Sequence, residues 1–328
     1  MSDHVFVTGA SGRVAASLIP RLVAAGHTVT GLARSKAKAQ RVRAFGATCV
    51  VGELSHPTVM DEGLAGAVIV YHLAGGMRGA GIQTPDRINR LGSLSLIDRL
   101  EHAPQVKAIV FASSCAVYGD QSGAAVEDGS PARPHTRYGA SKAAAEEAFE
   151  QAHRRGMPVR IARLAAVYGA GFPFLLEDWI RSGRAWLPGD GTNSIPTIHV
   201  DDAVEALVRL GTQPTQHVHY NVADCDSITS HEFYTAVAQA IEGSAPRYWS
   251  PLVPRAASLA AARLNERIQS KVAMRPRFTP DAIRLMTASI KVRTDRLRDD
   301  LGMTWMYPTA RVGLDSILGV QQSRAGRP

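Results

Sequence analysis

The hexapeptide RYGASK, Arg137 to Lys142, sets a tyrosine and a lysine at i and i+4, the spacing at which two side chains share one face of a helix. A free phenol titrates near ~10 and is seldom ionised at neutral pH. An adjacent ammonium favours the phenolate and makes Tyr138 a usable proton donor or acceptor. Each unit by which the phenol is lowered corresponds to ~1.4 kcal/mol of differential stabilisation. Gly139, Ala140 and Ser141 lie between them and are small enough for a cofactor to approach the pair. Spacing alone leaves a catalytic pair and an ordinary helix surface both open.

Two further stretches bear on that choice. VFASSCAVYG reads as the end of a parallel strand, where ligands of such sheets bind, and it offers the hydroxyls of Ser113 and Ser114. A hydroxyl there can hydrogen-bond a carbonyl oxygen and polarise it for hydride attack. Upstream, VTGASGRVAASLI sets Gly9, Gly12 and Ala15 between a first strand and a first helix. Glycine permits positive φ and lets backbone N–H groups approach a pyrophosphate at the positive end of the helix. The third position needs only a small side chain. The pattern predicts dinucleotide binding at Gly9, Ser11, Gly12, Arg13 and Val14.

The end of the second strand bears on which dinucleotide. An acid there would bind the ribose hydroxyls of NAD, whereas cations match the 2′-phosphate of NADP. GLARSKAK supplies Arg34, Lys36 and Lys38 and no acid. Cations at a helix start are unfavourable without an anionic partner. NADP(H) is therefore expected, with NAD as the alternative, Arg34 as the principal contact and Lys38 beside it.

The elements that must position these residues alternate along the chain. HVFVTGA, HTVTGLA, ATCVVGE, AVIVYHLAG and VKAIVFASS read as strands separated by helical segments, and MPVRIARLAAVYG as a sixth strand followed by a loop. Such alternation predicts an α/β fold with a Rossmann-type, doubly wound parallel sheet. From about Gly171 the pattern loosens, and short helices dominate from about Ala256. The expected division is a dinucleotide-binding domain over residues 1–170, with later contributions from about 195–230, and a smaller, mostly helical substrate lobe over 171–328.

Composition bounds the rest. The chain has 328 residues, 45% hydrophobic and 20% charged, as in a globular protein, apart from a polar end, QQSRAGRP. Its net charge of +8 is dispersed, which argues against nucleic acid as a partner. No charged leader and no long apolar window is present, so neither membrane attachment nor export is expected, and the cytoplasm is the expected location. Cys49, Cys115 and Cys225 are odd in number and far apart, the pattern of reduced thiols.

Taken in order, TGASGRVA, GEL, HLAGG, Asn89 in RINRLGSLSLI, SSCAVYG, YGASK, RLAAVYG and IPTIHVDDAVEAL resemble the motifs of the extended short-chain dehydrogenases/reductases, the group labelled NAD-dependent epimerase/dehydratase. The resemblance extends to LGMTWMYPTARVGLDSIL near the end. It implies Tyr138 as acid/base, Lys142 as the ligand of the nicotinamide ribose, Ser114 as the hydroxyl that orients the substrate oxygen, and Asn89 beside them as a fourth catalytic residue. It also puts adenine contacts on Glu53 and Leu54, where Asp-Leu is more usual, backbone contacts on Ala74 and Gly75, and a homodimer in solution.

Departures from that family narrow the chemistry. Its sugar-nucleotide dehydratases carry an Asp-Glu pair where this chain has Cys115 and Ala116, so dehydration is disfavoured. Its sugar-nucleotide epimerases carry an arginine before HVDD to hold the substrate diphosphate, and here that region is Ser194 and Ile195. Arg181, Arg184 and Arg247 can replace the clamp or lie on the surface. His199, Asp201 and Asp202 read as a helix start rather than a metal site. Trp179, Trp186, Trp249, Phe172 and Phe174 either line an apolar pocket or pack a core. The expected function is hydride transfer between NADP(H) and a carbonyl or alcohol of a relatively apolar, non-nucleotide small molecule, with no metal. The alternatives are a nucleotide-sugar epimerase and a non-catalytic cofactor-binding regulator.

Overall fold

The computed structural model describes residues 2–76, 85–121, 123–172, 187–242, 253–271 and 279–316. Its first half alternates β1 (His4–Thr8), α1 (Arg13–Ala24), β2 (Thr28–Ala33), α2 (Lys36–Ala44), β3 (Thr48–Val51), α3 (Pro57–Leu64), β4 (Ile69–His72), α4 (Gly92–Leu100), β5 (Ala108–Ser114), α5 (Arg137–Arg154) and β6 (Val159–Leu164). A π-helical turn, Arg87–Leu91, leads into α4. The expected parallel, doubly wound sheet is present.

Successive residues of each apolar run point into different cores. Val5, Val7, Val110 and Ala112 face a layer built from α1, α2 and a later helix, whereas Phe6, Ile109 and Phe111 face α3, α4 and α5. Strands covered on both sides need apolar residues at both parities, which is why they read as unbroken runs.

Beyond β6 come β7 (Ala166–Tyr168), β8 (Ser194–Ile195), β9 (Thr197–His199), α6 (Val200–Thr212), β10 (His219–Val222), β11 (Ile228–Thr229), α7 (Ser230–Glu242), α8 (Arg255–Lys271), α9 (Pro280–Met286) and α10 (Asp295–Asp299). The later helix of the first layer is α6, and β10 joins the main sheet beside β6. The strand order is β10-β6-β5-β4-β1-β2-β3. A loop was expected after the sixth strand, yet Ala166–Tyr168 pairs with Thr197–His199, a partner about thirty residues away that local pattern does not reveal. Nor is α8 short: its 17 residues are rich in alanine and arginine, both strong helix formers.

Candidate active site

The strand order reverses between β1 and β4, and open α/β sheets take ligands in the crevice at that point. Gly9 follows β1 with φ +66°, and a Cβ on it would lie 2.6 Å from the Ala74 nitrogen beyond β4. Gly12 donates its N–H to the Gly9 carbonyl at 2.8 Å, and a Cβ there would lie 2.9 Å from the same oxygen. The helix behind the turn has Gly12 at its cap, no capping side chain and no acid in its first turn. This glycine cradle at an uncapped helix end fits the pyrophosphate of a dinucleotide.

Around that turn the remaining cofactor candidates spread outward. Ser11 and Val14 are half-buried and Arg13 is exposed. A Cβ on Gly31 would lie 2.6 Å from that of Ala10, so β2 runs tight against the turn. Arg34, Lys36 and Lys38 are exposed just past it, and α2 has no acid in its first turn. Its cap is Ser35, whose hydroxyl accepts from the Lys38 N–H at 3.3 Å. Glu53 is exposed after β3, while Leu54 packs towards Gly92, whose added Cβ would lie 3.0 Å from it.

Gly75 brings the loop beyond β4 onto the catalytic candidates. A Cβ there would stand 3.0 Å from Lys142 Nζ and 3.2 Å from Asn89 Oδ1. Lys142 is 4% exposed, donates to the Ala112 carbonyl at 2.7 Å and lies 4.8 Å from the Phe111 ring centroid. Burial lowers its pKa to about 8, against the opposing charge of Glu146 one turn on. Asn89 is fully buried. Its Nδ2 donates to Gly76 O at 3.1 Å and to Ser141 Oγ at 2.8 Å, and its Oδ1 accepts from Gly76 N–H at 2.9 Å. Both amide hydrogens are therefore engaged by protein groups, and Asn89 ties the loop after β4 to α5.

Tyr138 is half-buried, with Ser114 the polar side chain that acts on its phenol. Burial raises the phenol above its ordinary value, and the influence of Ser114 only partly offsets this. The expectation that Lys142 lowers it is not met in this geometry, because the ammonium is turned to Ala112 instead. Ser114 also accepts from Ala116 N–H at 3.2 Å, whereas the Ser113 hydroxyl is buried with no partner among the described residues.

The small residues after Tyr138 serve the protein's own packing. A Cβ on Gly139 would lie 2.5 Å from the Ala116 carbonyl, so only glycine lets α5 approach the turn after Ser114 this closely. Ser141 donates to the Tyr138 carbonyl at 2.8 Å. Room for a cofactor is not what Gly139 and Ser141 provide.

Cys115 is buried, donates to the Arg163 carbonyl at 3.2 Å and has its thiol pushed up to about 12 by burial. Ile195 packs against an apolar cluster with Tyr168, Leu187, Phe233 and Met286. His199 caps α6, accepting from Asp201 N–H at 3.3 Å, and Asp202 accepts from the N–H groups of Met306 and Tyr307, each at 2.8 Å. Phe172 packs on the main core. Phe174, Trp179, Arg181, Arg184, Trp186, Arg247 and Trp249 lie outside the described residues.

Sequence reading missed the pair Arg163 and Glu146, 3% and 2% exposed and 2.7 Å apart, because its members sit in an apolar strand and a helix with no local signal linking them. It also missed His72, fully buried and bonded at both ring nitrogens.

Residues 5–223 match the model of the NAD dependent epimerase/dehydratase family. The chain belongs to that family. Within the family's wider neighbourhood it is 29% identical to a 4-hydroxy-2-methyl-3-oxo-4-farnesyl-3,4-dihydroquinoline-1-oxide ketoreductase of Stigmatella aurantiaca, over 96% of this chain and 95% of that protein. It is 26% identical to a UDP-glucose 4-epimerase of Mycolicibacterium smegmatis, over 80% of this chain and 90% of that one. The fold is shared with UDP-glucuronic acid 4-epimerase from Bacillus cereus, solved with UDP-glucuronic acid and NAD, at a TM-score of 0.74, 18% identity and coverage of 98% of this chain and 99% of that one. This member of the family is thus an NAD(P)-dependent oxidoreductase or epimerase of the extended short-chain type.

Proposed function

We propose that the protein is an NADP(H)-dependent reductase of ketones or aldehydes, or the reverse alcohol dehydrogenase, acting on a relatively apolar, non-nucleotide substrate. The observation that carries this reading is the Tyr138 phenol under the influence of the Ser114 hydroxyl, on the same helix as a buried lysine anchored to the strand that ends in Ser114.

A bound nicotinamide supplies or accepts the hydride. Backbone N–H groups of Gly9, Ser11, Gly12, Arg13 and Val14 hold the pyrophosphate, and Arg34 with Lys38 pairs the 2′-phosphate. Glu53 and Leu54 meet the adenine, Ala74 and Gly75 line the cofactor through their backbones, and Lys142 leaves Ala112 to hold the ribose. Ser114 donates to the substrate carbonyl oxygen and Tyr138 hands its proton to the same oxygen as the alkoxide develops. A phenol raised by burial stays protonated through the neutral range, the form that reduction requires.

Ile195 favours a reductase over an epimerase. An isoleucine packed in an apolar cluster holds no diphosphate, and Cys115, a buried thiol with a raised pKa, is poorly suited to dehydration chemistry. The Stigmatella relative, named for reducing a ketone on a farnesylated ring, points the same way. The substrate lobe is residues 171–328, and the protein works in the cytoplasm as a homodimer; among the described residues no helix is long and apolar enough to cross a membrane.

The test offers the purified protein NADPH with a panel of hydrophobic ketones and, separately, UDP-glucose. Net oxidation of NADPH by a ketone is the expected result. Interconversion of the sugar nucleotide with tightly retained cofactor and no net NADPH loss would establish the epimerase instead.

A further inference from the structure

A chain of buried hydrogen bonds crosses the molecule from the cofactor turn to the tyrosine helix, with His72 at its centre. The imidazole is fully buried at the end of β4, stacked on Phe111 at 5.5 Å and tilted against Phe149 at 5.7 Å. Thr8, the last residue of β1 before Gly9, meets its Nδ1 at 2.6 Å, and Ser93 of α4 meets its Nε2 at 3.0 Å.

The protons of this chain can be assigned one at a time. A carbonyl oxygen only accepts, so Ser93 Oγ spends its single proton on the Asn89 carbonyl at 2.6 Å. Ser93 must then accept from His72, which puts the ring proton on Nε2. Nδ1 is left to accept from the Thr8 hydroxyl, and Thr8 Oγ1 accepts in turn from Ala74 N–H at 3.3 Å. On the far side, Gly76 N–H fixes the Asn89 amide by donating to Oδ1, so Nδ2 faces Ser141, whose own proton goes to the Tyr138 carbonyl. Every group has one role, and none is left unpaired.

We propose that His72 is a positioning residue of the hydride-transfer site, its neutral, Nε2-protonated ring locking the loop that follows β4 to the helix that carries Tyr138. The inference rests on the reductase reading for what is positioned, but not for the ring's state. A neutral ring is what the surroundings favour: burial and the nearby Lys142 charge hold its pKa down at about 3. The π-helical turn that carries Asn89 fits the same role, since such turns gather at functional sites. The relay ties Ala74 and Gly76, on either side of Gly75, to Tyr138 through side chains from five separate elements. No one of those elements fixes that distance alone.

The experiment has two arms. Nitrogen-15 NMR of histidine-labelled full-length protein, with and without NADPH, should show a His72 Nδ1 resonance far downfield of a protonated Nε2, the assignment resting on its loss in His72→Phe. A protonated Nδ1, as the other tautomer or as imidazolium, overturns the proposal without reference to any substrate.

In the second arm, His72→Phe keeps the ring stack and removes both hydrogen bonds. Its kcat per folded site should fall on the order of 10- to 100-fold, as small misplacements near a reacting centre do, with ketone KM little changed. NADPH Kd, read by fluorescence with no substrate, should rise about three- to tenfold for the lost bonding. His72→Gln, which can still donate to Ser93, should recover most of the loss. Ser93→Ala should reproduce it should His72→Phe not fold. Wild-type kcat and NADPH affinity in the folded His72→Phe or Ser93→Ala protein would overturn the role. A wild type that turns over no ketone counts against the reductase reading, while the ring assignment and NADPH affinity still decide this one.

Discussion

The Lys142 ammonium donates to the Ala112 carbonyl at 2.7 Å, so the lysine is anchored to the strand that ends in Ser114 and not to Tyr138, one helical turn away on its own helix. Its pKa, lowered to about 8 by burial, places its charge change within reach of ordinary buffers. The ammonium is present below that value and lost above it. NADPH affinity should therefore weaken as pH rises through about 8, by up to ~10-fold per unit, whereas Lys142→Met should give weak binding with no such inflection. Fluorescence titration from neutral to alkaline pH checks this. For stability the sign is opposite: the unfolded lysine keeps its proton to 10.5, so this group's contribution improves between about 8 and 10.5.

Tyr138→Phe keeps the ring and removes the only proton that the mechanism transfers. Turnover of the ketone should fall by roughly 10²–10⁴-fold, the usual worth of a general acid, with NADPH affinity nearly intact. Steady-state rates beside cofactor titration separate the two effects. A variant with undiminished rate would exclude the phenol as proton donor.

Arg34→Asp tests the cofactor preference. The wild type should bind NADPH more tightly than NADH by about ten- to hundredfold, the range for a charged hydrogen bond, and the carboxylate should reverse the order by repelling the 2′-phosphate and accepting from ribose hydroxyls. Parallel titrations of both proteins with both nucleotides measure it, and a wild type that prefers NADH removes the NADP assignment.

The pair Arg163 and Glu146 is buried and joined by three contacts of 3.0, 3.2 and 2.7 Å. Glu146→Gln leaves the guanidinium without its counter-charge, a change that costs about 3–5 kcal/mol in buried pairs. Urea unfolding should show that loss. Combining it with Arg163→Met should restore part of the stability, because the stranded charge is then gone.

Asp224 is 3% exposed and accepts from Thr197 at 2.8 Å and from His199 N–H at 3.3 Å, with its carboxyl raised to about 7 by burial. The folded state then holds a proton that the unfolded chain has lost above its ordinary value of 3.8, so this group's contribution to stability falls as pH rises from about 4 to about 7. Asp224→Asn should gain on the wild type across that window. Melting temperatures of both proteins at several pH values provide the comparison.

Much of the fold was legible because local rules produced it. Runs such as HVFVTGA and VKAIVFASS are apolar at both parities, the mark of strands covered on two faces, and the glycine turn announced itself by position between strand and helix. Ala166–Tyr168 was not legible, since three residues gain their identity only by pairing with Thr197–His199. The same holds within the candidate site. Ser113 and Ser114 are equivalent in sequence, yet one hydroxyl is buried without a partner among the described residues and the other accepts from the Ala116 N–H.

The sequence by itself determined the α/β sheet, the glycine turn and the presence of Ser114, Tyr138 and Lys142, because backbone periodicity and the chemistry of single residue types act over a few positions. Only the tertiary structure decided where the lysine's charge points, why Gly139 must be glycine, which acid balances Arg163 and which nitrogen of His72 holds the proton. Those outcomes depend on groups brought together from up to about seventy residues apart, and a hydrogen bond has a direction only once both its partners are in place.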